Sequence, residues 1–492
     1  MQFVQGWRIS VRFESVQPPT ITPPRKTSPW ALVALAVSML LASLGINIAN
    51  VALPAIAQAF DAPFHTVQWI VLAYLLTITI MIVTAGRLGD ILGHKRVLTG
   101  GLILFTLASL LCGVSPTLPI LIAARALQGV GAAVLMALSL ALIRDTVPPE
   151  KIGTAMGLMG TMSAVGTALG PSLGGLLLAG PGWHAIFLIV VPLGLVNTVL
   201  VLRTIPAQDA RVTDTRPRLD GWGTLFLAGA LGSYALAVTI GNGTLNWLNI
   251  GLISASALAI GVFIRVEKTA PAPLIELSAL RNLSLSTGLI TNFCVATVMM
   301  ATLVVFPFYL SLALGLNAAL VGLILTVGPI MSVICGVPSG WLVDRFGVSR
   351  IMFLGLFKMV LGCLALALLP TEFGTIGYIA ATAILSPGYQ LFQSANNTAI
   401  MTPVPIDQRG VISGMLNLSR NLGLITGAAV MGTIFTYGVG SSDIVKAAPT
   451  AIATGMHTTF TVATIIMVLA LSLAIVTYKR ASGRVPLETP QH

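Results

Sequence analysis

The feature of this sequence that most constrains its fold is a succession of apolar stretches of about 19 residues or more, separated by short polar segments. At 1.5 Å per residue, a helix of that length crosses a hydrocarbon core of roughly 30 Å. Lipid offers backbone N–H and C=O groups no partner, so a chain threading it must satisfy them internally. The runs lack the apolar–polar alternation of barrel strands, which leaves helix. The expected class is an all-α polytopic membrane protein. With 8% charged residues and a mean hydropathy of +0.94, a water-soluble fold is excluded.

Fourteen stretches are expected, from 30–55 to 457–478. With the N-terminus in the cytoplasm, 22 of the 26 Lys and Arg residues fall in cytoplasmic segments. Lys446 alone falls outside, and Arg125, Lys358 and Arg420 lie within spans. Such a bias orients a membrane protein, so both termini are expected in the cytoplasm and the chain in the cell (inner or plasma) membrane. The net charge of +11 follows from this topology and gives no reason to expect a nucleic-acid partner. Cys112, Cys294, Cys335 and Cys363 lie in apolar stretches with no CxxC pair, so they read as small hydrophobes and no metal or cofactor is expected.

The chain repeats itself. GRLGDILGHKR at 86–96 returns as GWLVDRFGVSR at 340–350, so Gly86, Leu88, Asp90, Gly93 and Arg96 recur as Gly340, Leu342, Asp344, Gly347 and Arg350. Gly153, Gly157, Gly166, Gly170 and Gly175 likewise recur as Gly410, Gly414, Gly423, Gly427 and Gly432. Two parallel six-span halves, 30–202 and 284–478, are expected, with two inserted spans in 203–283 between them. A disordered tail at 1–29 and a cytoplasmic tail at 479–492 complete this 6+2+6 plan.

GRLGDILGHKR resembles the loop signature of the major facilitator superfamily, and the plan resembles its fourteen-span drug:proton antiporter branch of EmrB/QacA type. NVALPAI, VQWIVLAYLL, RALQGVGAA, GTALGPSLGG and WHAIFLIVVPLG agree, over about Trp30 to Tyr478. The resemblance implies a major facilitator fold and a gating role for Gly86, Asp90, Gly93, Lys95, Arg96, Gly340, Asp344, Arg345 and Gly347. A basic hairpin that merely sets topology is the alternative. Arg125, Gln128 and Gly129 match the family's RxxQG motif, implied to help proton coupling. In the stretch implied to be the antiporter signature, Gly166, Gly170 and Gly174 form a smooth strip beside Gly175, and Pro171 can kink the helix. Plain helix packing explains that spacing equally well.

The family commonly carries an aspartate five residues before the Asn of NVALP; here that position is Gly45. No acidic residue falls in a span core, whereas Arg125, Lys358 and Arg420 do, at a cost of roughly 2.5–3.5 kcal/mol each at the bilayer centre on insertion scales. A cavity with fixed positive charge favours anionic or neutral amphiphiles over cations. Its expected lining is Asn47, Asn50, Asn292, Gln393, Asn396, Asn417 and Arg420, although interhelical hydrogen bonding explains such residues as well.

The expected function is secondary active efflux of a lipophilic small molecule, driven by the proton gradient, by a monomer in contact with membrane lipid. Uptake or facilitated diffusion of a small solute is the alternative that Gly45 favours. An enzyme is not expected, because the chain carries no Ser/His/Asp set, no HExxH and no phosphate-binding loop. A channel would need a filter-like loop.

Overall fold

The computed structural model describes residues 29–147, 152–206, 221–239, 246–269, 282–402, 409–441 and 443–482. Of the tails expected at 1–29 and 479–492, residues 1–28 and 483–492 lie outside the described residues, and 479–482 continue the last helix.

The first half of the chain forms α1 (Pro29–Ala59), α2 (Phe64–Val67), α3 (Trp69–Leu92), α4 (His94–Gly113), α5 (Leu118–Thr146), α6 (Ile152–Ala179), α7 (Trp183–Leu188) and α8 (Val190–Thr204). Two helices follow, α9 (Gly221–Thr239) and α10 (Trp247–Thr269). The second half forms α11 (Leu283–Phe308), α12 (Ala318–Leu325), α13 (Val327–Phe346), α14 (Val348–Leu368), α15 (Gly374–Met401), α16 (Arg409–Thr426), α17 (Gly432–Val439) and α18 (Pro449–Ser482). A π-helical turn, Gly427–Met431, joins α16 to α17.

Among the described residues, 13 helical segments are long and apolar enough to cross a membrane. The 28-residue α15 is not one of them, because Gln390, Gln393, Asn396 and Asn397 dilute its apolar content. Length qualifies it and polarity disqualifies it, a first sign that it faces something other than lipid.

The two halves pack alike. α1 lies against α6 as α11 lies against α16; α5 packs on α3 and α4 as α15 packs on α13 and α14; α4 meets α8 as α14 meets α18. The repeated glycines make the first of these contacts possible: a Cβ on Gly166 would sit 2.7 Å from the Leu40 carbonyl, and one on Gly170 2.7 Å from Asn47 Cβ. Gly423 and Gly427 seat the backbone of α11 in the same way, at Phe293 and Thr297. The repeated loops also match in conformation. Gly93 (φ 93°) and Gly347 (φ 86°) each end one helix and start the next in a backbone region that side chains disfavour.

Across the halves, α6 packs on α12 and α13, and α16 packs on α3. The first of these seams closes at glycine: a Cβ on Gly175 would lie 2.6 Å from the Ala318 carbonyl and 2.7 Å from Gly322 Cα. Backbone cannot yield as a side chain does, so Gly322→Leu should wedge this seam apart. We expect about 1–3 kcal/mol of destabilisation with membrane insertion retained, read by thermal unfolding in detergent beside a protease-protection map.

Candidate functional site

Between the halves lies a cavity of about 430 Å³. Ser43 and Asn47 of α1, Ser163 and Thr167 of α6, Met299 and Phe306 of α11, Ser332 of α13, Gln390 and Gln393 of α15 and Arg420 of α16 are in its wall. It is an apolar chamber with neutral hydrogen-bonding groups, and Arg420 is the one charged group among the described residues lining it. Ser43 and Ser163 join their hydroxyls at 2.7 Å, while Gln393 Oε1 is buried with no protein partner. Unsatisfied acceptor atoms on a cavity wall are groups that a ligand donor or water can meet.

One end is sealed. Gln68 Nε2 donates to the Ala428 carbonyl across the halves, and the Phe64 ring meets Phe308 edge-on at 4.9 Å and Phe435 at 5.8 Å. Outside these, Lys446 lies 2.9 Å from Asp443 and 3.7 Å from Asp61. Exposed ion pairs contribute little, whereas buried aromatic contacts exclude water. Lys446→Gln should therefore leave that end closed to a small aqueous thiol reagent, while Phe64→Ala should admit the reagent from that side to a cysteine introduced at Ser43 in the chamber wall. At the other end Asn397, four residues from the end of α15, is exposed yet still lines the cavity. The chamber thus opens toward the side on which α1 begins and α18 ends.

Arg125 does not reach this cavity. It is fully buried on α5, where Nε donates to the Ile70 carbonyl at 2.9 Å and Nη1 to the Gly45 carbonyl at 3.1 Å and to Gln128 Oε1 at 2.6 Å. Its guanidinium stacks 4.1 Å above the Tyr74 ring, and Nη2 has no partner. Gln128 in turn donates to Ser109 Oγ at 2.7 Å, and the Gly129 backbone seats Tyr74. The Gly45 departure acquires a structural reason here. Tyr74 donates its hydroxyl to the Ala42 carbonyl, and a Cβ on residue 45 would lie 2.7 Å from that Tyr74 oxygen. At residue 45 the α1 backbone carbonyl accepts from Arg125, and the Tyr74 side chain fills the space beside it.

Of the residues expected to line the cavity, Asn47, Gln393 and Arg420 do so. The other four are not in that wall. Asn50 turns back to the Ile46 carbonyl at 3.2 Å, Asn292 donates to Leu416 of α16 at 3.1 Å, and Asn396 donates to Gly288 of α11 at 3.3 Å. Asn417 is exposed and outside the lining. In hydrocarbon an amide finds its cheapest partner in a helix carbonyl, which competes with the cavity for each of them. Lys358 is half-buried on α14 beside Gly388, also away from the chamber.

In the loop signature, Lys95 Nζ donates to the Leu202 carbonyl at 3.0 Å, so it caps the C-terminal end of α8 within its own half. Gly86 is half-buried with open space at its Cβ position, and Arg96 is exposed. The Asp90 side chain lies outside the described residues. In the second copy Gly340 has open space, Asp344 is exposed, and Arg345 stacks 5.1 Å from the Trp341 ring. Pro171 sits inside α6 and offers its carbonyl face to Gly322, and Gly174 abuts Ile48 of α1. Sequence reasoning missed Tyr74 and Ser109; Tyr74 stood in VQWIVLAYLL, but nothing in the spacing pairs it with Arg125.

A family model described as "Major Facilitator Superfamily" matches residues 35–428 and, a second time, 288–491. The chain belongs to the Major Facilitator Superfamily. Relatives in this superfamily include an "uncharacterized transporter", YebQ, of Escherichia coli, 35% identical over 82% of this chain and 88% of its own. "Riboflavin transporter RibZ" of Clostridioides difficile is 29% identical over 82% and 87% of the two chains. A "tetracenomycin C resistance and export protein" of Streptomyces glaucescens is 30% identical over 84% and 77%. In fold, the chain matches an inward-facing bacterial homologue of the lysosomal transporter Spinster with a TM-score of 0.68 at 14% identity, covering 92% of this chain and 98% of that one. The protein is a multi-pass membrane transporter, and further relatives are named a "multidrug resistance protein" and a "multidrug efflux pump".

Proposed function

We propose that this transporter exports lipophilic small molecules, anionic or neutral in preference to cationic, by alternating access driven by inward proton movement. The carrying observation is the chamber between two alike halves, apolar and amide-lined, closed at one end, open at the other, with Arg420 as its charge. In this reading α15 is the fourteenth crossing, α9 and α10 are inserted between two six-span halves, and both termini lie in the cytoplasm, so the open end is cytoplasmic. No carboxylate is among the described lining residues, so protons are carried by groups outside the chamber, of which Asp90 in the loop signature is one.

A guanidinium in a low-dielectric chamber repels a cation and attracts an anion by several kcal/mol at contact distance, about 4 kcal/mol at 4 Å with an effective dielectric of 20. The name of the tetracenomycin exporter supports export, and that of the riboflavin transporter supports a second reading, uptake of a solute without a membrane carboxylate. The test is flux in vesicles under an imposed pH gradient, across cationic, neutral and anionic amphiphiles. Uphill anion or neutral flux opposite to the proton gradient is expected; lipophilic cations as the best substrates would refute the charge argument, and flux indifferent to the gradient would favour the second reading.

A further inference from the structure

The helices α9 and α10 break the likeness of the two halves, and where they sit is informative. The halves meet at two equivalent seams, α3 against α16 and α6 against α12 and α13. α9 lies outside the first of them with contacts on both sides. Near its start Thr224 meets Thr84 of α3 at 3.1 Å; further along, Tyr234 donates to Thr426 of α16 at 3.1 Å; near its end the Val238 carbonyl accepts from Thr433 of α17 at 3.1 Å. The strap therefore runs the height of the seam with one foot on the first half and two on the second. α10 backs it, held by Ser256 to the Ala230 carbonyl (2.8 Å) and Asn249 to the Ala237 carbonyl (2.7 Å), and turns Ile253, Leu258 and Ile260 outward.

Nothing comparable covers the other seam among the described residues. There α6 and α12 touch at Gly175 and Gly322, toward the sealed end, and α6 continues along α13, where glycine leaves gaps: a Cβ on Gly336 of α13 would meet no atom within 4 Å, and neither would one on Gly160 of α6, which is itself in the chamber wall. The chamber leans to this side: Ser163 and Thr167 of α6 and Pro329 and Ser332 of α13 belong to its wall, whereas α3 contributes nothing to it among the described residues. The outward residues beside the gap, Leu169, Ile330, Val333 and Ile334, are large, apolar and exposed, as lipid contact requires.

We propose that the inserted pair is a one-sided seal: α9 closes the α3/α16 seam to lipid, and membrane-dissolved substrate reaches the chamber from the bilayer through the α6/α13 seam. This rests on the reading of the protein as a carrier of lipophilic compounds. It gives the insertion a task that two bare halves lack, because an unsealed second seam would let lipid chains and substrate leak around the hydrophobic contacts that the halves make while moving.

The test uses the full chain with its four native cysteines replaced, in vesicles of phosphatidylethanolamine and phosphatidylglycerol, with a fluorophore on a single introduced cysteine. The probe is a phospholipid with a nitroxide on its acyl chain, with aqueous iodide as the water-side control. Quenching by the lipid at Gly160→Cys and Gly336→Cys should exceed that at Thr84→Cys by at least about threefold, and Tyr234→Phe with Thr433→Ala should raise quenching at Thr84→Cys. Equal lipid quenching at both seams, or quenching at Gly336→Cys by iodide alone, would overturn the proposal. Quenching needs no transport, so absent flux in the pH-gradient assay would refute the functional reading while even quenching with flux intact would refute the seal alone.

Discussion

Replacing Arg420 by glutamate should invert the charge preference of the transporter, with anion flux falling at least about tenfold and cation flux rising from background. Arg420 lies on α16 in the chamber wall, and no other charged residue is described there. Reversing its sign changes the field over the whole chamber, because low-dielectric walls leave it unscreened. Arg420→Gln should give the intermediate result, losing anion selectivity while retaining neutral substrates. Vesicle flux of matched anionic, neutral and cationic amphiphiles measures both variants beside wild type. Unaltered selectivity in Arg420→Glu would mean that substrate never approaches this residue.

The second large effect concerns Arg125. Its guanidinium ties the Gly45 carbonyl of α1, the Ile70 carbonyl of α3 and Gln128 of α5, so three helices converge on one planar fork. A lysine offers a compact ammonium on a flexible stem and does not reproduce that geometry. Arg125→Lys should accordingly lose at least about tenfold in flux, and Arg125→Ala should also destabilise the first half by about 2–4 kcal/mol, since buried acceptors are left without their donor. Denaturant or thermal unfolding in detergent beside flux separates the two losses. Gly45→Asp should not add a second proton-carrying site to this chain, because Tyr74 occupies the space that the new side chain needs.

Much of the fold was legible because hydrocarbon imposes length and apolarity on every crossing, and because the repeats at 86–96 and 340–350 carry glycines whose backbone angles demand glycine. The glycine strip of α6 was legible as a close-packing face, and Gly166 and Gly170 do seat α1. What remained hidden is rotational. An asparagine in an apolar helix announces that it needs a partner, not which way it points: Asn50, Asn292 and Asn396 donate to helix carbonyls away from the chamber, and Asn47 lines it while donating to the Ser43 carbonyl at 3.1 Å. The same limit concealed Tyr74 under Arg125 and the path of α9, since a contact between elements 50 or more residues apart leaves no periodic trace. α15 was legible as a helix at 374–400, and its polarity, which spoils it as a lipid-facing span, is what suits it to a cavity wall.

Alternating access requires that the seal and the opening exchange ends. Electron-spin distance measurements on the cysteine-replaced transporter in vesicles test this directly, with one label pair at Asp61 and Asp443 and another at Arg96 and Arg350. Imposing a pH gradient with substrate present should lengthen the first distance and shorten the second in the same molecules. Two distances that stay fixed under every condition, or that lengthen together, would contradict alternating access about the chamber.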